Sequence, residues 1–333
     1  MHNRSEGVFF SLGAYKRIGP TAIAWVVPHL FLLVVAVVWY VACECSPEVT
    51  ALAVQCVACA LAIFLTIYRE RIRPSTLVLL AATTALGVLA LELCANDKFY
   101  AMGKRVWLLE FVIVVTLICG LWLLTGRRGI APALVLAELT FVGVAQHYVL
   151  EFRGTAILPS DLFALGTAIE VSNGYSYDLS SGMLYGFSAL SLGIACCSLM
   201  QPTEPAESNI SHLCSVTLSP SRQRGSLDFS RSLFATKRLR EVAGGAALLV
   251  LLALLLTVPS YAEVFDVQMD YWWSGDYYRR QGFLPSFIRC WQDLDVTAPE
   301  GYSGDVARTT QATLAKAYLD KPGTQERRSA STA

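Results

Sequence analysis

The clearest chemical feature of the sequence is an arginine beside a glycine in Phe152-Arg153-Gly154-Thr155, followed closely by Leu158-Pro159-Ser160-Asp161. A guanidinium group can hold a phosphate through paired hydrogen bonds, and a neighbouring glycine lets the backbone come close to it. Arg153 and Asp161 are therefore candidate contacts to a lipid headgroup. An arginine at this position can also extend to the membrane surface or pair with Glu151 or Asp161, and the sequence leaves these uses open.

Two adjacent arginines, Arg279 and Arg280, lie towards the end of the chain. They are surrounded in sequence by many aromatic residues, which include Tyr271-Trp272-Trp273 and Tyr277-Tyr278. Aromatic side chains at this density are typical of a membrane–water interface, because each ring is partly apolar and partly hydrated. The two arginines are candidate contacts to lipid phosphates in the outer leaflet. Plain interfacial anchoring by the aromatic rings is an equally good interpretation.

Two ionisable residues lie within one long apolar stretch, Glu138 deep inside it and His147 near its end. Burying such a group in a bilayer costs up to about 3 kcal/mol on insertion scales, so it is a candidate for function. Glu138 is the basis of an alternative function, a transporter or exporter of small molecules. We rank it second because no pair of apolar stretches is interrupted by matched glycine or proline residues, as transporters often are.

The sequence offers no convincing metal centre and no catalytic residue. Cys56 and Cys59 have CxxC spacing, but they lie within an apolar stretch without flanking ligands, where cysteine behaves as a small hydrophobic residue. The last histidine is His212, so no imidazole ligand is available further along the chain. We therefore predict no catalytic residue, no metal ligand and no cofactor within this chain.

These residues must be positioned by helices that cross a membrane. Apolar residues make up 54% of the 333 residues and charged residues 16%, which is less charge than soluble domains carry. Stretches of about 20 apolar residues are long enough to span a bilayer, where they must be helical. We predict an all-α polytopic membrane protein with about seven transmembrane helices and short interfacial helices. The candidate spans are Ala22–Cys43, Val49–Tyr68, Ser75–Cys94, Val106–Thr125, Ala131–Leu150, Met183–Met200 and Val242–Val258.

The basic residues predict the orientation of these spans. Counted over alternate loops, fourteen lysines and arginines lie on one side and four on the other. Because basic loops stay in the cytoplasm, the N-terminus is predicted to be cytoplasmic and the C-terminus extracytoplasmic. A net charge of zero gives no electrostatic reason to expect nucleic-acid binding.

The resulting domain organisation has five parts. It comprises a cytoplasmic tail at 1–21, a five-span block at 22–150, an extracytoplasmic loop at 151–182, two further spans at 183–259 joined by a basic, flexible cytoplasmic linker at 201–241, and an aromatic juxtamembrane linker with a disordered end at 260–333. Within the loop, Leu162, Leu165 and Ile169 have the spacing of an amphipathic helix with Ser160 or Asp161 as its N-cap. Residues Asp305 to Leu319 predict another helix, and Lys321 to Ala333 a disordered end.

Several short motifs together resemble the membrane region of the lipoteichoic acid synthase-like phosphoglycerol transferases, a bacterial family related to sulfatases. The resemblance covers roughly residues 106–320 and depends on the order and spacing of the motifs. They are Phe152-Arg153-Gly154-Thr155, Leu158-Pro159-Ser160-Asp161-Leu162, Thr167-Ala168 with Asn173-Gly174-Tyr175, Gln281-Gly282-Phe283 with Ser286-Phe287, and Pro299-Glu300-Gly301-Tyr302-Ser303.

The resemblance implies a role in building the bacterial cell envelope. Members of the family transfer glycerol phosphate from phosphatidylglycerol, using an extracellular domain with a threonine nucleophile and usually manganese. That domain would begin just after the helix ending near Leu319, so we expect this chain to lack it and not to catalyse transfer by itself. The expected function is a membrane anchor that presents lipid, with membrane lipids such as phosphatidylglycerol and a separate catalytic subunit as its partners.

Overall fold

The computed structural model describes residues 20–42, 48–72, 74–164, 166, 177–201, 220–294 and 303–319. Helices dominate this part of the chain, no strand occurs in it, and seven helices are long and apolar enough to cross a membrane. The predicted fold class, an all-α polytopic membrane protein, is confirmed. The seven helices are α1 (Pro20–Ala42), α2 (Val49–Ile67), α3 (Thr76–Ala95), α4 (Lys104–Thr125), α5 (Ile130–Arg153), α6 (Ser181–Met200) and α7 (Pro220–Thr257).

Helices α3 and α6 form the centre of the bundle. They are the most buried spans and pack against each other, while α5 packs on α3 and α2 packs on α6. Small residues bring the backbones close: a Cβ at Gly143 of α5 would lie 2.6 Å from the carbonyl oxygen of Leu91 in α3. Close approach of this kind supplies the van der Waals contact that holds helices together in a bilayer. The bundle is therefore assembled around α3, which also carries part of the site described below.

Helix α7 extends well beyond its apolar segment. It begins at Pro220 and runs for 38 residues, although only Thr236–Thr257 is apolar enough to span a membrane. Residues 220–241, predicted to belong to a flexible linker, are thus helical, while the linker residues 202–219 lie outside the described part of the chain. Proline is tolerated in a first helical turn, and no later proline interrupts this one. Arg238 also ties α7 to α4 by donating to the carbonyl oxygens of Leu123 and Leu124 at the end of that helix.

Residues 258–292, which we call the cap, follow α7 and fold into short helices. The cap was predicted as part of an aromatic linker, but it packs against α3 and α4 and buries Tyr261, Tyr278 and Phe283. Gln292 fixes its end by donating to the carbonyl oxygen of Pro259 (2.8 Å) and accepting from the backbone N–H of Tyr261 (3.0 Å). The helices of the cap are α8 (Tyr261–Val264), a 3-10 turn at Tyr271–Trp273, α9 (Ser274–Gln281) and α10 (Phe283–Gln292).

The chain from Asp293 to Ala333 forms a second unit. Its described part is α11 (Gly304–Leu319), which confirms the helix predicted at Asp305 to Leu319. Ser303 caps this helix by accepting a hydrogen bond from the backbone N–H of Val306. The predicted disordered end, 321–333, and almost all of the predicted cytoplasmic tail lie outside the described residues.

Candidate functional site

Arg153 and Asp161 form a two-pronged ion pair. Both terminal nitrogens of the guanidinium donate to the carboxylate at 2.8 Å, and the same side chain donates to the Thr155 hydroxyl and the Ala156 carbonyl oxygen. Such paired geometry is the strongest form of this interaction. Of the uses that the sequence left open for Arg153, pairing with Asp161 is the one observed, and together with the bonds to Thr155 and Ala156 it occupies most of the guanidinium donors.

Gly154 ends helix α5, a local role that the sequence did not predict. Its φ is +73°, and its N–H donates to the carbonyl oxygen of Leu150, so it ends α5 as a left-handed C-cap. Glycine is favoured there because it lacks a Cβ. The glycine lets the chain reverse direction, which brings Thr155 and Asp161 within reach of Arg153.

Asp161 also holds the loop from the other side. Its carboxylate accepts from the backbone N–H of Leu158 at 2.8 Å, upstream of the 3-10 turn Pro159–Ala164, so it does not act as the predicted helix N-cap. Partial burial alone would raise the pKa of Asp161, but the hydrogen bonds from Arg153 and Leu158 outweigh it and lower the pKa. Most of the predicted amphipathic helix after this turn lies outside the described residues.

The loop of residues 154–161 is joined to the cap by its backbone. The N–H of Ala156 donates to Ser274 (3.0 Å), the carbonyl oxygen of Ile157 accepts from Tyr278 (2.8 Å), and the N–H of Ile157 donates to Gln146 in α5 (2.8 Å). Burial raises the pKa of Tyr278, so its hydroxyl stays protonated and remains a donor. Two segments more than a hundred residues apart in sequence therefore form one surface.

The cap rests on two buried carboxyl groups. Glu92 of α3 accepts from the backbone N–H of Phe283 (2.8 Å), and Glu110 of α4 accepts from that of Leu284 (3.2 Å). Both glutamates are fully buried. The first N–H groups of a helix have no partner within the helix, so these carboxyl groups cap the N-terminus of α10.

The turn between α9 and α10 lies directly against Glu92 and Glu110. Gly282 has a φ of +74°, and a Cβ there would lie 2.5 Å from a carboxyl oxygen of Glu110. Asn96 donates both to Glu92 (3.2 Å) and to the carbonyl oxygen of Arg279 at the end of α9 (2.9 Å). Neither a larger residue at 282 nor an apolar residue at 96 would preserve these contacts.

The two cap arginines differ in their surroundings. Arg279 is partly buried and donates to Asp97 at 2.7 Å and to Asp276 at 3.4 Å, so it ties the cap to the loop after α3. Arg280 is exposed, and no hydrogen bond or ion pair engages it within the described residues. Beside Arg279, a small cleft is lined by polar side chains of α3 and α5, among them Glu92, Asn96 and Gln146. The Gln146 Nε2 amide is buried there with no protein partner among the described residues.

The two intramembrane candidates differ in position, since only Glu138 lies apart from this surface. Glu138 is exposed on the outer face of α5 and not inside the bundle, where a transport pathway would run. His147 is partly buried one turn from the end of α5 and lies 3.5 Å from Glu151. Among the residues that the structure describes, no group of three or more histidine, cysteine, aspartate or glutamate side chains could hold a metal ion.

Several residues of this surface were not identified from the sequence. Glu92, Asn96, Gln146, Ser274 and Tyr278 each appear as single polar residues in or beside apolar or aromatic stretches, and their partners lie far away in sequence. The motif Gln281-Gly282-Phe283 was the only indication, since a glycine between two helical segments suggests a turn with positive φ. Comparisons with protein-family models, with curated proteins and with solved structures find no match for this chain.

Proposed function

We propose that this chain is the membrane module of a lipoteichoic acid synthase-like phosphoglycerol transferase, serving as an anchor that presents phosphatidylglycerol to a catalytic domain. In this proposal the membrane is the bacterial cell membrane, the N-terminus is cytoplasmic and the cap is extracytoplasmic. The manganese and the threonine nucleophile of the reaction belong to the catalytic domain, which acts in this account as a further domain or a separate subunit.

One observation supports the proposal above the others. The motifs that carry the resemblance lie at 152–162 and 281–287, and the structure brings these two segments to the same end of the bundle. The loop is hydrogen bonded to Ser274 and Tyr278 of α9, just before the second segment, and α10, which contains most of that segment, packs against the 3-10 turn Pro159–Ala164. A shared site at this end of the bundle requires such a contact between the two segments.

In this proposal, the four residues predicted as headgroup contacts have different roles; they are Arg153, Asp161, Arg279 and Arg280. Arg153 and Asp161 hold the loop in shape, and Arg279 holds the cap to Asp97. Arg280, exposed on the same helix as Arg279, is left to bind the lipid phosphate through its guanidinium.

Lipid selectivity tests this proposal. The full chain is placed in nanodiscs of mixed phosphatidylglycerol and phosphatidylethanolamine, and the lipids that remain bound are counted by native mass spectrometry. We expect enrichment of phosphatidylglycerol in the wild type and a loss of about threefold or more of that enrichment in Arg280→Gln, because the guanidinium favours the anionic headgroup over the zwitterionic one, whose ammonium group it repels. Arg308→Gln, an exposed arginine in α11, is the matched control and should change nothing.

Two outcomes of this experiment would contradict the proposal. Equal retention of phosphatidylglycerol and phosphatidylethanolamine by the wild type would remove the lipid-presenting role. Equal enrichment in the wild type and in Arg280→Gln would remove Arg280 as the headgroup contact.

A further inference from the structure

The cap is held at positions inside the ends of the spanning helices. Glu92, which binds the N-terminus of α10, lies three residues before the end of α3, and Glu110 lies six residues after the start of α4. At 1.5 Å per residue these positions are about 4.5 Å and about 9 Å inside the helix ends. The loop at 154–161 turns back in the same way, because the N–H of Ile157 donates to Gln146, seven residues before the end of α5.

Apolar packing gives the cap the same depth. Tyr261 and Val267 of the cap are buried in one cluster with Leu109 and Ile113 of α4 and Leu252 of α7. Ile113 lies nine residues after the start of α4, and Leu252 lies five residues before the end of α7. A segment standing in water above the bundle would not share a cluster with side chains so far inside the spans. The cap is therefore set into this end of the bundle.

Several large rings of the cap, and one in the 3-10 turn after the loop, are not covered by the protein. Two of them are adjacent in sequence, and adjacent exposed rings mark a contact with a membrane or with another protein. These rings are Phe163 (84% exposed), Trp272 (87%), Trp273 (68%) and Trp291 (51%).

Neighbouring contacts place Phe163 and Trp291 at the level of the span ends. Phe163 is two residues from Asp161, which is paired with Arg153, the last residue of α5. Trp291 directly precedes Gln292, whose side chain donates to a carbonyl oxygen in the last turn of α7. Both rings therefore lie where a bilayer that surrounds the spans has its interface with water.

The two adjacent indoles lie at the same level. Trp272 and Trp273 come directly before Ser274, which accepts a hydrogen bond from the loop. A Cβ at the next residue, Gly275, would lie 2.8 Å from the side chain of Leu150, which is three residues before the end of α5. Indole and phenyl rings favour this depth, and the indole N–H can there meet water or headgroups.

We propose that the cap and the loop are embedded in the interfacial region of the adjacent leaflet, with Phe163, Trp272, Trp273 and Trp291 covered by lipid. The depth of about 4.5 to 9 Å resembles that of interfacial helices, whose apolar faces enter the bilayer by about 5–10 Å. Lipid is the occupant because it surrounds a spanning bundle at this level. The proposal holds for lipids of any headgroup, so it does not depend on recognition of phosphatidylglycerol.

Fluorescence quenching in liposomes of phosphatidylcholine gives the first test. An environment-sensitive fluorescent amino acid replaces Phe163, Trp273 or, as a standard for the bilayer interior, Phe141, which is exposed near the middle of α5. The quenchers are iodide in the water and lipids with a nitroxide near the top or near the end of an acyl chain. We expect positions 163 and 273 to be quenched about threefold more by the upper nitroxide than by iodide, and position 141 most by the lower nitroxide.

Quenching of positions 163 and 273 by iodide as strongly as the free fluorescent amino acid in buffer would overturn the proposal. Because these liposomes contain no phosphatidylglycerol, this result is independent of the lipid-selectivity experiment. An embedded cap without selectivity would contradict only the proposed function, and a selective but water-exposed cap would contradict only the embedding.

Photo-crosslinking in the native membrane tests lipid against a protein as the covering partner. Benzoylphenylalanine replaces Trp273 or, as a matched control on a lipid-facing helix, Phe31, which is exposed on α1. We expect phospholipid adducts from both positions, identified by mass spectrometry of the purified chain. Adducts from position 273 that join mainly another protein, with phospholipid adducts from position 31, would overturn the proposal.

Discussion

At the scale of single residues, two glycines and two carboxyl groups determine the shape of the candidate surface. Gly154 reverses the chain after α5, and Gly282 makes the turn between α9 and α10 where a Cβ would collide with Glu110. Asp161 closes the first turn through Arg153 and the backbone of Leu158. Each of these residues acts by fixing backbone geometry, and residue type alone did not predict that role.

The first prediction concerns Asp161 and pH. Because its folded-state pKa is lowered, the carboxylate stabilises the loop above the ordinary pKa of about 4, and this stabilisation is lost as the pH falls through the folded value. Hydrogen exchange of the amides in residues 154–161 should be faster in Asp161→Asn than in the wild type at neutral pH. The difference between the two proteins should shrink as the pH is lowered below about 4.

The exposed Glu263→Gln provides the control, since its carboxyl group lies outside this loop. It should exchange like the wild type in residues 154–161 at every pH. A wild type and an Asp161→Asn variant that exchange equally at neutral pH would show that the ion pair does not hold the loop.

At the scale of helices, the important arrangement is α10 with its N-terminus on Glu92 and Glu110. An isolated helix of ten residues is marginal in water, so this one depends on its capping carboxyl groups and its packing. The same principle applies to the C-terminal end of α4, whose negative partial charge is neutralised by Arg238 of α7. The N-terminus of α10 and the C-terminus of α4 are thus satisfied by charged side chains from neighbouring helices.

The second prediction tests this capping. Glu92→Leu should leave the N–H of Phe283 buried without an acceptor, at a cost of about 1 to 3 kcal/mol, whereas Glu92→Gln keeps an acceptor oxygen and should cost less. Hydrogen exchange at Phe283 and Leu284, with thermal unfolding in detergent, measures both variants. Equal protection of these amides in Glu92→Leu and the wild type would show that the carboxyl pair does not hold the cap.

Helices were the part of the fold that the sequence predicted best. Long apolar stretches have one stable form in a bilayer, so all seven spans and α11 were found close to their predicted positions. The packing of the cap on α3 was not predicted. Glu92 and Phe283 are 191 residues apart, and nothing in either residue type indicates that the two form a hydrogen bond. The helical segment 220–241 was missed because its polar composition resembles a linker, although it contains no proline after Pro220.

At the scale of the whole molecule, the bundle and the cap form a platform at one end of seven spanning helices. The spans position α3, α4 and α5 so that their ends meet the loop at 154–161 and the cap, and all the proposed headgroup contacts lie there. At the opposite end, the described residues include the polar extension of α7 at 220–235 and the short turn at 126–129 that joins α4 and α5. The account therefore predicts that lipid headgroups are recognised at the cap end alone.

Crosslinking with a phosphatidylglycerol analogue that carries a photoreactive diazirine on its glycerol headgroup tests this claim most directly. After illumination of the full chain in liposomes, the account predicts adducts in the peptides that contain residues 154–161 and 271–282, reduced by an excess of unlabelled phosphatidylglycerol and not by phosphatidylcholine. Adducts spread evenly over both ends of the bundle, or competed equally by the two lipids, would contradict it.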